Sequence, residues 1–252
     1  MGLNFKQMLC KLNPFYNYGT IKPTKMVLHS TGCNNPNLSR WTNSWNSKTA
    51  RNSVHGVIGK DEDGNVEFVQ LLPFTKKAAG VGKGSKGSYN SCAIQVEIAE
   101  DDLKDKEYFT DCYNKAVEVF AEICKEYKID SDDIVCHCEA HKLGYGSNHA
   151  DVMHWFPKYG KDMDDFRKDV KKAMEKTNPY KKPTRELKKG CEGEDVKWLQ
   201  YELNKNGANL KVDGDFGSKT YAAVVAYQKA HTELKIKRLG TVGTKTIKSL
   251  AA

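Results

Sequence analysis

The sequence predicts an α/β fold, a mixed central sheet flanked by helices, with a small three-helix C-terminal domain behind it. Three observations carry this expectation. Up to about residue 170, short apolar runs of strand length alternate with longer segments of helical period. Between Asn178 and Lys189 the chain becomes basic and carries two prolines. Beyond that stretch, two similar glycine turns each lead into a short apolar-periodic segment.

Taken in order, Met26–His29, Val54–Ile58, Val66–Leu72, Ala93–Ile98 and Ile134–His137 read as strands. Asp61, Glu62, Asp63 and Gly64 supply a turn between the second and third, so those two are expected to form a hairpin. Phe109, Cys112, Tyr113, Ala116, Phe120, Ile123, Cys124 and Tyr127 recur at helical spacing over about five turns. Phe166, Val170 and Met174 mark a second helix, which Asn178-Pro179 ends. Farther on, Gly214-Asp215-Phe216-Gly217-Ser218-Lys219-Thr220 is answered by Gly240-Thr241-Val242-Gly243-Thr244-Lys245-Thr246. Each copy is a glycine turn that delivers a threonine near the start of a helix. Val196, Leu199 and Leu203 line a helix before the first turn, Val224 and Gln228 follow it, and Ile247 and Leu250 follow the second. The expected division is a first domain over 1–177, a linker over 178–187 and a three-helix domain over 188–252.

Composition narrows the function classes. The 252 residues carry a net charge of +8, but +6 of it sits between Lys171 and Lys189. A basic linker accounts for that better than a nucleic-acid-reading face, and no nucleic-acid-binding motif accompanies it. No run approaches the ~20 apolar residues of a membrane span, so no membrane partner is expected. The segment Met1–Pro14 lacks the apolar core of a secretory signal, and Lys6 stands where a myristoylation site needs Ser or Thr. A cytoplasmic protein is therefore expected. The eight cysteines include no CxxC pair, so a cysteine zinc site has no support and reduced thiols are expected. Strand alternation over Ile134–His137 turns Cys136 and Cys138 to one side and His137 to the other.

Four of the seven histidines, His137, His141, His149 and His154, fall within eighteen residues that also hold Glu139 and Asp151. A fifth, His29, ends the first strand directly before Ser30-Thr31-Gly32. Imidazoles from separate strand ends with one carboxylate suit a catalytic zinc, which takes three protein ligands and leaves a position for water. A solvated histidine-rich loop is the other reading of the same residues.

Placed in context, the pattern becomes specific. Five blocks run in order: Met26-Val27-Leu28-His29-Ser30-Thr31-Gly32; Val54-His55-Gly56-Val57-Ile58 with Asp63-Gly64-Asn65-Val66; Asn90-Ser91-Cys92-Ala93-Ile94-Gln95-Val96-Glu97-Ile98; Ile134-Val135-Cys136-His137; and Ser147-Asn148-His149-Ala150-Asp151-Val152-Met153-His154-Trp155-Phe156-Pro157. Residues 22–170 thereby resemble the zinc-dependent N-acetylmuramoyl-L-alanine amidases of phages and Gram-positive bacteria, whose fold is shared with peptidoglycan recognition proteins. The last block is similar to that of prophage lysins. The resemblance implies a zinc cleft with His29, His137 and Asp151 as ligands, His154 being the rival to Asp151. It implies that Glu97 is the general base and that His149, if protonated, faces the scissile carbonyl. His55 is expected to be structural or cleft-lining, and His141 and His231 to lie at the surface.

Three departures stand out against that pattern. Val152 follows Asp151 where many members have proline. Val54 stands where phage relatives often carry a tyrosine. Ala79-Gly80 replaces a common Trp-His pair, and these changes bear on substrate contacts.

The second domain resembles the three-helix peptidoglycan-binding module, through Gly190, Gly193, Val196, Leu199-Gln200, Leu203 and Val212-Asp213-Gly214-Asp215-Phe216-Gly217. Leu239 departs from it where an aspartate is expected before Gly240, which leads us to expect an altered second turn. Together the resemblances imply a bacteriolytic endolysin that hydrolyses the amide between N-acetylmuramic acid and L-alanine, held in the cytosol until released to the cell wall. A non-catalytic peptidoglycan recognition protein and a zinc peptidase of stem-peptide bonds are the alternatives.

Overall fold

The computed structural model describes residues 3, 5–176 and 178–251. The chain divides into two compact units, residues 2–177 and residues 178–252. In the first, the elements run β1 (Lys6–Gln7), β2 (Lys25–Asn34), α1 (Leu38–Trp45), β3 (Gly56–Lys60), β4 (Val66–Gln70) and β5 (Ala93–Glu100). They continue with α2 (Lys106–Tyr127), β6 (Ile134–Cys136), α3 (His137–Leu143) and α4 (Met163–Lys176). The strands form one six-stranded sheet in the order β1-β4-β3-β5-β2-β6. All neighbours are parallel except β3 and β4, which form the expected antiparallel hairpin. Its loop is tied by Asp61 Oδ1, which accepts from the N–H groups of Asp63 and Asn65.

Alternation along the strands gives the sheet two unlike faces. Met26 and Leu28 of β2, with Ile94, Val96 and Ile98 of β5, point to one side, where they share a core with Phe120 of α2 and Phe166 of α4. Helix α2 starts where Asp105 accepts from the N–H groups of Glu107 and Tyr108, and it ends at Lys128 in the left-handed conformation. That cap contributes about 1 kcal/mol. Each large side chain buried beneath the helix contributes roughly 1.5–3 kcal/mol. The odd-numbered residues Val27 and His29, with Gln95 and Glu97, occupy the other face. There Val27 packs with Val81, Tyr89 and Ala140, while Leu38 and Trp45 of α1 cover Val57 and Ala99.

Two elements depart from expectation. The strand read over Ile134–His137 stops at Cys136, and His137 opens α3. The Glu139 side chain accepts from the Cys136 N–H, so the chain is captured by a helix start one residue early. Alternation therefore does not govern Cys136 and Cys138. Their sulfurs lie 3.2 Å apart because the turn into α3 folds one beside the other. Helix α1 was not anticipated, although Leu38, Thr42 and Trp45 at helical spacing form its buried face. All eight cysteines are free thiols.

The second unit is built from α5 (Glu194–Lys205), α6 (Ser218–Ala230) and α7 (Thr244–Leu250). Val196, Leu199, Leu203, Phe216, Val224 and Leu250 form its own core. The echoed turns are locked by matching buried glutamines. Gln200 Oε1 accepts from Gly214 N–H at 2.8 Å, and its Nε2 donates to Asp215 O and Thr220 Oγ1. Gln228 repeats this with Gly240 N–H at 2.9 Å, Thr241 O and Thr246 Oγ1. The alteration expected at Leu239 does not occur. Gly214 and Gly240 hold φ of 84° and 81°, so the backbone turn is the same, and what the second turn lacks is the Asp213 carboxylate that accepts from Gln200 Nε2 at 2.9 Å and Asp215 N–H at 3.0 Å. Glycine is required at both because that φ disfavours a side chain. Among the described residues, no helix is long and apolar enough to cross a membrane.

Candidate metal centre

Strand β2 presents His29 near the end of its buried run, and the start of α3 brings in His137 beside it, because β6 pairs with β2 in parallel register. The loop after α3 returns Asp151 to the same point. All three residues are buried. His29 Nδ1 lies 3.1 Å from His137 Nδ1 and 3.1 Å from Asp151 Oδ2. His137 Nδ1 is 3.4 Å from the same carboxylate oxygen. A tetrahedral zinc with bonds of about 2.05 Å separates its ligands by about 3.3 Å, so the three atoms fit three corners of such a site. Each ring turns its other nitrogen outward, His29 Nε2 to Gln95 Oε1 at 3.2 Å and His137 Nε2 to Ser147 Oγ at 3.1 Å. Burial raises the Asp151 pKa, but hydrogen bonds from His137 and His29 and their charge outweigh it and hold the carboxyl well below its ordinary range.

Glu97 sits level with His29 across the β2–β5 pairing, on the same face of the sheet. Its Oε2 is buried with no hydrogen-bond partner. Burial first, then the charges of Asp151 and Glu100, push its pKa well above the usual carboxylate value. His149 stacks on His137 with ring centroids 4.4 Å apart, and its Nδ1 lies 3.6 Å from Asp151 Oδ1. Its side chain is 59% exposed. Burial and the neighbouring His137 lower its pKa, so the neutral ring is favoured.

The remaining histidines fall elsewhere. His154, the rival third ligand, donates from Nε2 to Glu100 Oε1, 2.9 Å away, and is not in the cluster. His55 is fully buried: Nδ1 accepts from Gln95 N–H at 2.9 Å and Nε2 contacts Lys76 O at 2.9 Å. Burial lowers its pKa to about 4. His141 is exposed. His231 is half-buried against Tyr227. Val152 is fully enclosed in the core beneath the sheet. Sequence reasoning assigned no role to Gln95 or Ser147. Alternation from Glu97 places Gln95 on the site face, but Ser147 comes from a loop that no periodicity describes.

A mixed sheet that carries a buried His-His-Asp cluster at its strand ends defines an α/β protein with a candidate zinc centre. The family model described as "N-acetylmuramoyl-L-alanine amidase" matches residues 19–154, and the chain belongs to that family. A second model, described as "Putative peptidoglycan binding domain", matches residues 192–250. A probable N-acetylmuramoyl-L-alanine amidase of Bacillus licheniformis is 31% identical over 173 residues, 66% of this chain and 48% of that protein. The chain thus spans about half the length of the curated relatives it matches. Among solved structures, the Staphylococcus aureus hydrolase AmiA in complex with its ligand superposes with a TM-score of 0.57 at 18% identity, covering 69% of this chain and 84% of that one. A mutant of PlyL gives 0.52 at 20% identity, covering 67% and 99%. These two likenesses concern the fold alone.

Proposed function

We propose that the protein is a zinc amidase of bacterial peptidoglycan that cuts the amide between N-acetylmuramic acid and L-alanine. One observation carries the metal: two imidazole nitrogens turned toward each other at 3.1 Å beside a buried carboxylate oxygen. Such an arrangement suits a cation at its centre, and His29, His137 and Asp151 would hold it. Zinc there supplies Lewis-acid polarisation and lowers the pKa of water toward ~7. Glu97 takes the proton of the attacking water and passes it to the departing alanine nitrogen. Burial beside the cluster holds this carboxyl above its ordinary pKa, which makes it a stronger proton acceptor than an exposed glutamate. As the C–N bond breaks and a C–O bond forms, the lactyl group leaves as a carboxylate and alanine as an amine. His149, half in solvent beside the cluster, can offer a ring N–H to the carbonyl oxygen without being charged.

The second unit, to which residues 178–187 belong through the buried Leu187 and the bond from Asn178 to Trp198 O, is assigned the task of holding the enzyme on the wall. Tethering raises the local concentration of the active site on an immobile polymer. An endolysin made in the cytosol and released late to the wall, as in phage lysis, is the setting this organisation suits.

Mass spectrometry of purified walls digested with the full chain tests the reading. Whole stem peptides beginning at an L-alanine amine, with glycan intact, are expected. Fragments cut within the stem would replace the amidase by a peptidase. Binding without any release would make the protein a recognition molecule.

A further inference from the structure

Two departures from the amidase pattern meet in space. In the amidases that the chain resembles, the strand matching Ile94–Glu97 reads Ile-Gly-Ile-Glu, so Gln95 stands in place of glycine, and Gly80 stands where the second residue of the Trp-His pair is common. Gln95 is fully buried. A Cβ on Gly80 would lie 2.5 Å from Gln95 Oε1 and 3.0 Å from Val54 Cγ1. The side chain missing at one position leaves the room that the amide at the other fills.

The amide's orientation follows from a chain of unambiguous donors. The Val81 N–H donates to Asn90 Oδ1 at 3.1 Å, which identifies that atom as the carbonyl oxygen. Gln95 Nε2 donates to the same oxygen at 2.9 Å. Gln95 Oε1 is thereby left facing His29 Nε2 at 3.2 Å, and an oxygen there accepts a proton and cannot give one. His29 must therefore carry a proton on Nε2, which makes Nδ1, beside His137 and Asp151, the nitrogen available to a metal. The backbone of β5 is held in place from beneath, since Gln95 N–H and C=O bond His55 Nδ1 and His55 N–H at 2.9 and 2.8 Å.

We propose that Gln95 is a positioning residue: anchored to Val81 N–H through Asn90, it locks His29 in the Nε2-protonated tautomer, and Gly80 is the space this requires. For its effect on metal affinity the proposal rests on the zinc reading, whereas the tautomer does not. A ligand histidine protonated on the wrong nitrogen has to turn over or lose that proton before it can bind. Partners of this kind typically govern metal affinity by 10–100-fold.

The test uses the full chain freed of zinc, with ¹⁵N-labelled histidine. Long-range ¹H–¹⁵N spectra are expected to show a proton on His29 Nε2. Gln95→Leu is expected to mix the two tautomers and weaken zinc binding about 10–100-fold in competition with a chelating dye. Gly80→Ala is expected to shift both readouts the same way by displacing the amide. Asn90→Asp, whose carboxylate accepts from both Val81 and Gln95, is expected to keep the wild-type spectrum, and Asn90→Leu to lose it. A wild-type His29 with no proton on Nε2 would overturn the proposal. So would a folded Gln95→Leu protein with zinc affinity within about twofold of wild type. Should Gln95→Leu fail to fold, the wild-type spectrum and the Asn90 pair decide the matter. If the wild type binds no zinc, the metal reading falls while the His29 spectrum still decides the role of Gln95.

Discussion

The two units bury polar side chains to opposite ends. In the second, Gln200 and Gln228 use both ends of their amides on glycine turns and helix threonines, so the buried groups are satisfied and serve the fold. In the first, His29 and His137 direct nitrogens at each other, and Glu97 Oε2 has no partner at all. An unsatisfied buried polar group costs about 1–3 kcal/mol, more for a charge. Such groups in a sheet that could have buried valine there are a cost to the fold, and the proposed metal centre is what would offset it. The contrast separates polar residues that hold the chain from those that wait for something else.

The comparison breaks most visibly at Glu97. Glu97→Gln is expected to lower wall hydrolysis about 10²–10⁴-fold, because an amide cannot take the proton. Melting temperature and zinc content are expected to stay at wild-type values or rise, since a strained carboxyl is removed. A variant that loses stability and keeps its turnover would put Glu97 on the structural side.

His55 is the satisfied counterpart inside the first unit. Its folded pKa of about 4 lies below the ordinary 6.5. Between those values the unfolded chain takes up a proton that the folded one refuses. The resulting stability is complete above pH 6.5 and is lost as pH falls toward 4, by about 3 kcal/mol. Urea midpoints of wild type and His55→Asn, followed by near-UV circular dichroism from pH 7.5 to 4, are expected to converge by that amount. Parallel curves would show that His55 is not held neutral.

In the second unit, Gln200→Leu strands the Gly214 N–H and removes the donor to Asp215 O and Thr220 Oγ1, and is expected to destabilise that unit by about 2 kcal/mol. Gln228→Leu, which breaks one bond fewer, is expected to cost less. Zinc content measured on the same samples is expected to be unchanged in both. The smallest effect is a gain. Leu239 is 38% exposed, so Leu239→Asp removes little packing. It would restore the acceptor that Asp213 offers to Gln200 Nε2 and Asp215 N–H in the first turn. A stabilisation of about 0.5–1 kcal/mol is expected by thermal melting, and none would mean the second turn is already complete.

Local pattern was enough for the elements whose cause is local. The apolar stripe of Phe109, Cys112, Ala116 and Phe120 defines α2, the acidic turn at Asp61–Gly64 defines the hairpin, and the paired glycine turns define the three-helix unit. His29 and Glu97 were legible through the family resemblance of the strands that carry them, and pairing in register then sets them level. What the sequence by itself could not decide is where chain segments far apart in number meet. His137 as the first residue of a helix depends on Glu139 capping Cys136, and the choice between Asp151 and His154 depends on which one a patternless loop returns to the strand ends. The pairing of Gln95 with Gly80 is of the same kind, since each looks like an isolated substitution until fifteen residues of separation collapse to a contact. Periodicity reports which face a residue takes on its own element, and only tertiary packing brings the lone pairs of three elements to one point.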